Sequence, residues 1–159
     1  MLSFLVLCII AAFWSTQALK CTPEENGFNA TAKIAHAPIP LTVEWQTFYF
    51  TNTNSTAFPT FEFDVVGLPC VVQVADAYCP GDTFGIYWDG AIVPSLTVPP
   101  TLVSCAVNNP DPNDTFATPP WSWSIMPVFT LGPAIPIQIV ATSSPFTAGA
   151  AAVRIQCAV

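Results

Sequence analysis

Apolar and polar positions alternate with a period of two along most of this chain, and glycine or proline interrupts the alternation about every 8 to 12 residues. Residues 42–53, TVEWQTFYFTNT, read as a strand with Val43, Trp45, Thr47 and Tyr49 on one face and Glu44, Gln46, Phe48 and Phe50 on the other. Further strands are predicted over 61–66, 71–75 and 83–88. The last pairs with 91–98 across Asp89-Gly90, a dipeptide suited to the positive φ angles of a type I′ turn. A short strand is expected over 102–107, inside a proline-rich loop spanning 99–120. Strands over 123–131, 135–142 and 151–157 complete the chain, with Gly132-Pro133 ending the first of these. Pro136 has no N–H to give a ladder, so it marks a sheet edge or a late strand start.

No long segment shows an apolar period of 3.6, and the 17 prolines would break most helices. About eight or nine short strands predict an all-β fold, an antiparallel β-sandwich of jelly-roll type. Neither a linker nor an internal repeat divides residues 19–159, which are expected to form a single domain.

Residues 1–18 have the pattern of a leader. An apolar run from Leu2 to Trp14 is followed by Ser15-Thr16-Gln17, and small residues at Thr16 and Ala18 suit cleavage before Leu19. The run is shorter than the roughly 20 residues that span a bilayer, and no second such run follows, so stable membrane insertion is not expected. The expected location is therefore secreted or extracellular. Charged residues make up 8% of the sequence and the net charge is −7, which excludes a basic footprint for nucleic acid or for anionic lipid. Sequons at Asn29, Asn54 and Asn113 lie in loop-like stretches, and N-glycosylation there would solubilise a chain that is 52% hydrophobic.

Cys8 leaves with the leader, and the five remaining cysteines imply two bridges and one free thiol, in about 15 possible arrangements. Cys79–Cys105 is the favoured pair, since it would tie the Pro80-Gly81 turn to the loop after the hairpin. Cys21–Cys157 is the second choice because it would pin both mature ends. Cys70 is then the buried free thiol. With no Cys-x-x-Cys pair and a single histidine, His36, no metal site or cofactor is expected.

The segment VQVADAYCPGDTFGIYWDGAIV, together with the downstream DPNDTFATPPWSWSIMPVFTLGPAIPIQIVATSSPFTAGAAAVRI, resembles a group of uncharacterised secreted β-sandwich proteins of filamentous fungi. The likeness rests on Asp76, Tyr78, Cys79, Gly81 and Asp82, on Asp89-Gly90, on 111–119, on Leu131-Gly132-Pro133, and on Ser144-Pro145-Phe146 with Gly149 and Arg154. It spans about residues 71–157. Ala134-Ile135-Pro136 replaces the group's usual Gly-x-His, and Thr118 stands where a second aspartate is usual. The resemblance implies a secreted β-sandwich and brings no activity with it.

Candidate chemistry is sparse. Asp76, Asp82 and Asp89 suggest a hard-cation site, but turn chemistry explains them more simply, with Asp82 capping the Pro-Gly turn. A glycosidase needs two close carboxylates; Glu62 and Asp64 share a strand face and Glu24 and Glu25 adjoin in a loop, but neither pair sits in a motif. There is no Gly-x-Ser-x-Gly, and His36 lies between alanines. Arg154 reads as structural, paired with a nearby carboxylate. The chain is therefore expected not to be an enzyme. Trp121 and Trp123, beside Pro119-Pro120, are the best binding candidates, because flat aromatic faces near loops stack on sugars or anchor proteins. The functional expectation is a secreted, non-catalytic β-sandwich that binds a cell-wall glycan or an extracellular protein. Its alternatives are a cryptic polysaccharide hydrolase and a purely structural surface protein.

Overall fold

A computed structural model describes residues 22, 23, 25–27, 29, 38–66, 68–88, 91–92, 95–128 and 131–158. The strands are β1 (Ile39–Pro40), β2 (Gln46–Phe50), β3 (Phe61–Val66), β4 (Cys70–Asp76), β5 (Thr83–Trp88), β6 (Ala91–Ile92), β7 (Leu96–Val98), β8 (Trp123–Val128), β9 (Leu131–Ser143) and β10 (Gly149–Cys157). They form two sheets, in the orders β1-β3-β9-β5-β6 and β2-β10-β4-β8-β7. The expected all-β sandwich is what the chain forms. Antiparallel pairs nest as β2·β10, β3·β9, β4·β8 and β5·β6, which is the wrapped double hairpin of a jelly roll.

Alternation sets the inner faces. Phe48 and Phe50 of β2, Val72 and Val74 of β4, and Met126 and Val128 of β8 point into the sandwich, where Phe61, Phe84 and Ile86 meet them. Phe84 receives Phe48 and Phe50 edge-on, each with centroids 5.3 Å apart. That arrangement adds quadrupole attraction to the area buried.

Three expectations for the strands fail for physical reasons. Residues 91–98 do not make one strand: β6 pairs with β5, but β7 crosses to the other sheet and pairs with β8. Pro94 lies between them in sequence and has no N–H for a ladder. Residues 102–107 form no strand, because the loop's amides serve other segments: Thr101 N–H donates to Pro120 O and Ser104 N–H to Pro80 O. Gly132-Pro133 does not end a strand but lies within β9. Here β9 pairs with β3 through a register shift between Phe63 and Val65. Pro136, expected at a sheet edge or a strand start, lies instead within β9, between β3 and β5 in the sheet order and opposite Glu62 of β3.

In the loop 99–120 the chain also forms one short helix, α1 (Pro112–Thr115). Asp111 caps it by accepting from Asn113 N–H at 2.9 Å, and Pro112 occupies the first turn, where its missing N–H costs nothing.

Both expected disulfides are corrected. Cys157 bonds to Cys70, directly opposite it in the β4·β10 register, with Cα atoms 3.9 Å apart. Cys21 lies outside the described residues, and this bond removes Cys157 as its partner. Cys79 is a buried free thiol, whereas Cys105 is disulfide-bonded, so Cys79–Cys105 does not form. Loop positions suggested the wrong pairs because strand register, not proximity in sequence, brings Cys70 and Cys157 together across 87 residues.

Candidate functional site

The outer face of the β2-β10-β4-β8-β7 sheet is built in cross-strand rows. One row runs Val98, Trp123, Ala75, Ala152, Thr47, and the next runs Leu96, Ile125, Gln73, Arg154. Ala75 and Ala152 are small, and both are buried although they face away from the core. Helix α1 packs on β4 and supplies their cover. Phe116, which follows α1, stands 5.5 Å from Trp123 edge-on and 5.6 Å from Trp45. Trp45 precedes β2, and its indole N–H donates to Asn113 Oδ1 at 3.0 Å. The Arg154 guanidinium lies 4.2 Å above the Trp45 ring and 6.0 Å from that of Phe116. Arg154 Nε donates to Gln73 Oε1 at 2.7 Å. Partial burial draws Arg154 below its ordinary pKa, and the Glu44 carboxylate opposes the shift.

Trp45, Phe116, Trp123 and Arg154 are all half-buried, so part of each remains open. Leu96, at 56% exposure, extends this apolar face to the sheet edge. A cluster of partly open aromatic rings with one cation and one side-chain amide offers apolar surface beside polar groups, the composition that a sugar-binding face uses.

The structure separates the two tryptophans expected to act together. Trp123 begins β8 and belongs to this face. Trp121 precedes the strand and is 9% exposed, with no acceptor for its N–H among the described residues. Alternation could not place Trp121, because it lies outside the regular strand. Sequence reasoning missed Trp45 and Phe116. The period-two pattern does separate Trp45 from Phe48 and Phe50, but nothing local brings Phe116 to it. Arg154, expected to pair with a carboxylate, has Gln73 and the Trp45 ring as its close partners.

At one end of the sandwich lies a second cluster. Asp76 ends β4 and is fully buried; its Oδ2 accepts from Gly81 N–H at 3.1 Å and Asp82 N–H at 3.2 Å. Asp76, and not Asp82 as expected, therefore caps the Pro-Gly turn. Asp82 is also fully buried and accepts from Asn26 Nδ2 at 3.1 Å. Ser122 Oγ donates to the Asp82 carbonyl. Burial raises Asp76 well above the usual carboxylate range, the Asp82 charge adds to this, and the turn amides oppose it. Burial likewise pushes Asp82 up to about 7, against the pull of Ser144 and Asn26. Cys79 donates to Glu25 O at 3.3 Å, and burial with three nearby carboxylates pushes its thiol up to about 11.

The remaining sequence candidates are placed as follows. Asp89, Glu24 and His36 lie outside the described residues. Glu25 is exposed and closes a turn with Thr22, whose N–H it accepts at 2.7 Å. Asn29, Asn54 and Asn113 are exposed. Asn54 sits at φ 65° in the 51–56 turn, whereas Asn113 has its carboxamide engaged with Trp45 and Asp111. Among the described residues no group of three or more His, Cys, Asp and Glu side chains is placed to hold a metal ion. No helix among them is long and apolar enough to cross a membrane. No protein-family model, curated protein or solved structure matches the chain.

Proposed function

We propose that this chain is an exported, N-glycosylated β-sandwich that works by binding rather than catalysis, and that its ligand is a cell-wall polysaccharide held on the outer face of the β2-β10-β4-β8-β7 sheet. The observation that carries this reading is the run of half-buried rings Trp45–Phe116–Trp123, with centroids 5.6 and 5.5 Å apart and Arg154 over the first. The open parts of the rings supply apolar surface, and Arg154 with Gln73 supplies a cation and a side-chain amide beside it. The leader-like first 18 residues support export, and the Cys70–Cys157 disulfide is compatible with it, since such bonds persist in oxidising compartments. A hydrolase reading draws no support from Asp76 and Asp82, because both are fully buried and out of a substrate's reach.

The test is co-sedimentation of the purified mature protein with insoluble chitin, β-glucan and cellulose, beside a soluble-glycan array. Wild-type protein is expected to sediment with at least one polymer, with Trp123→Ala and Trp45→Ala weakening it about tenfold or more. A failure to bind any polysaccharide overturns the glycan reading and leaves the exposed Leu96 edge as a contact for an extracellular protein.

A further inference from the structure

The cluster around Asp76 and Asp82 poses a problem of charge that its own geometry answers. Three side chains from three segments meet there, Asn26, Asp76 and Asp82, and each is fully buried. Each also carries one buried oxygen without a hydrogen-bond partner among the described residues: Asn26 Oδ1, Asp76 Oδ1 and Asp82 Oδ1. All three are acceptors, so they lack a donor. Burying two ionised carboxylates with unsatisfied oxygens is among the most costly arrangements a fold can hold.

Among the described residues no cation answers them. Lys20 and Lys33 lie outside the described residues, and Arg154 is committed to Gln73 and Trp45 on the outer face. Among the described residues the titratable group beside the pair is the Cys79 thiol; the exposed Glu25 acts on that thiol, and Tyr78 packs against Gly27. The turn contributes backbone N–H groups and Asn26 its carboxamide, whereas the Ser144 hydroxyl donates to Phe146 O at 2.8 Å. A proton on either Oδ1 supplies the missing donor and removes one of the two charges.

This pair also holds a segment in place. Asn26 Nδ2 donates to Asp82 Oδ2 and to Ala148 O, both at 3.1 Å, while Ala150 N–H donates to Asn26 O at 2.9 Å. Asn26 thus docks its turn onto the β4–β5 turn and the start of β10, and Glu25 O adds two contacts by accepting from Cys79 Sγ at 3.3 Å and Asn108 Nδ2 at 3.1 Å.

We propose that Asp76 and Asp82 keep one proton between them and act as an acid-closed latch on the turn carrying Asn26. When that proton leaves, two like charges share a buried pocket, and release of the turn admits the water that solvates them. The latch is closed in acidic surroundings and loosens above neutrality, where Cys79 becomes accessible.

Hydrogen–deuterium exchange of the full mature protein tests this, read at the peptide containing Asn26 from pH 5.5 to 8.5 and corrected for intrinsic exchange. Protection of that peptide is expected to fall about tenfold or more across this range in wild type and to stay within about twofold in Asp82→Asn. Asp76→Asn is the second variant should the first fail to fold, and it is expected to flatten the profile in the same way. A flat wild-type profile, or an equal fall in both variants, overturns the proposal. Loosening by EDTA at constant pH, reversed by calcium, also overturns it by showing that a cation and not a proton neutralises the pair.

Discussion

Gly149 is packed against Asn26: a Cβ at position 149 would overlap the Asn26 carboxamide and stand 2.7 Å from Phe50 Cζ. The start of β10 is therefore shaped to admit a side chain from the N-terminal part of the chain. Asn26 Nδ2 reaches Ala148 O immediately beside it.

Gly149→Ala should destabilise the fold by about 1–3 kcal/mol, since neither Asn26 nor the Phe50 ring can move without breaking buried contacts. Urea unfolding measures the loss. An unchanged midpoint would show that the Asn26 seat yields freely. Pairing Gly149→Ala with Asn26→Ala in a double-mutant cycle should recover part of the loss, because the overlap is removed.

Stability should depend on pH in an unusual direction. Asp82 is raised from 3.8 to about 7 in the fold, and Asp76 is raised with it. Between those values the unfolded chain has released protons that the fold still holds. The unfolded state thus binds fewer protons, and stability falls as pH rises through the window from about 4 to about 7. The urea midpoint is expected to be higher at pH 4.5 than at pH 7.5, with Asp82→Asn removing most of the difference. A midpoint that climbs with pH across this window would contradict the raised values.

Thiol chemistry checks the bridges. Under denaturing, non-reducing conditions an alkylating reagent should modify Cys79 and leave Cys70, Cys105 and Cys157 untouched, as peptide mapping will read. Replacing Cys70 and Cys157 together with alanine should cost about 2–5 kcal/mol, because their bond closes an 87-residue loop. Labelling of Cys105 in place of Cys79 would refute the pairing.

Trp121 and Trp123 should part company when mutated. Trp121→Ala removes a buried ring and should destabilise by about 3–5 kcal/mol. Trp123→Ala removes a half-buried ring from the outer face, so its stability loss should be smaller and its polysaccharide binding weaker. Comparing unfolding midpoints with sedimentation of the folded fraction separates the two effects. Equal losses of stability would place both rings in the interior.

Asn113 joins α1 to Trp45 through the 3.0 Å bond from the indole N–H. Asn113→Ala should therefore loosen Trp45, seen as a red shift or loss of polarisation in tryptophan fluorescence, and weaken polysaccharide binding with it. An unchanged Trp45 environment would show that Phe116 and Arg154 hold the ring without that bond.

Much of the fold was legible from alternation alone. Period two places Phe48 and Phe50 on one face of β2, and the breakers between runs bound β3 and β5 as Phe61–Val66 and Thr83–Trp88. These are local properties, because side chains on a strand point to opposite faces whatever lies across from them. The wrapped order of a sandwich follows from many short antiparallel strands, since their apolar faces must meet.

Pairing across long separations was not legible. The Cys70–Cys157 bond depends on the β4·β10 register, and Leu96–Val98 crosses to the opposite sheet although its sequence continues a hairpin. The fate of the acids was hidden for the same reason. Asp76 and Asp82 read as turn residues in their own segment, whereas in the fold Asn26, from 56 residues away, packs onto a fully buried Asp82. The candidate binding face has the same origin: Trp45, Phe116, Trp123 and Arg154 come from four separate segments. Local sequence dictates which way a side chain points, whereas burial and company are set by segments distant in the chain, and the chemistry proposed here depends on both.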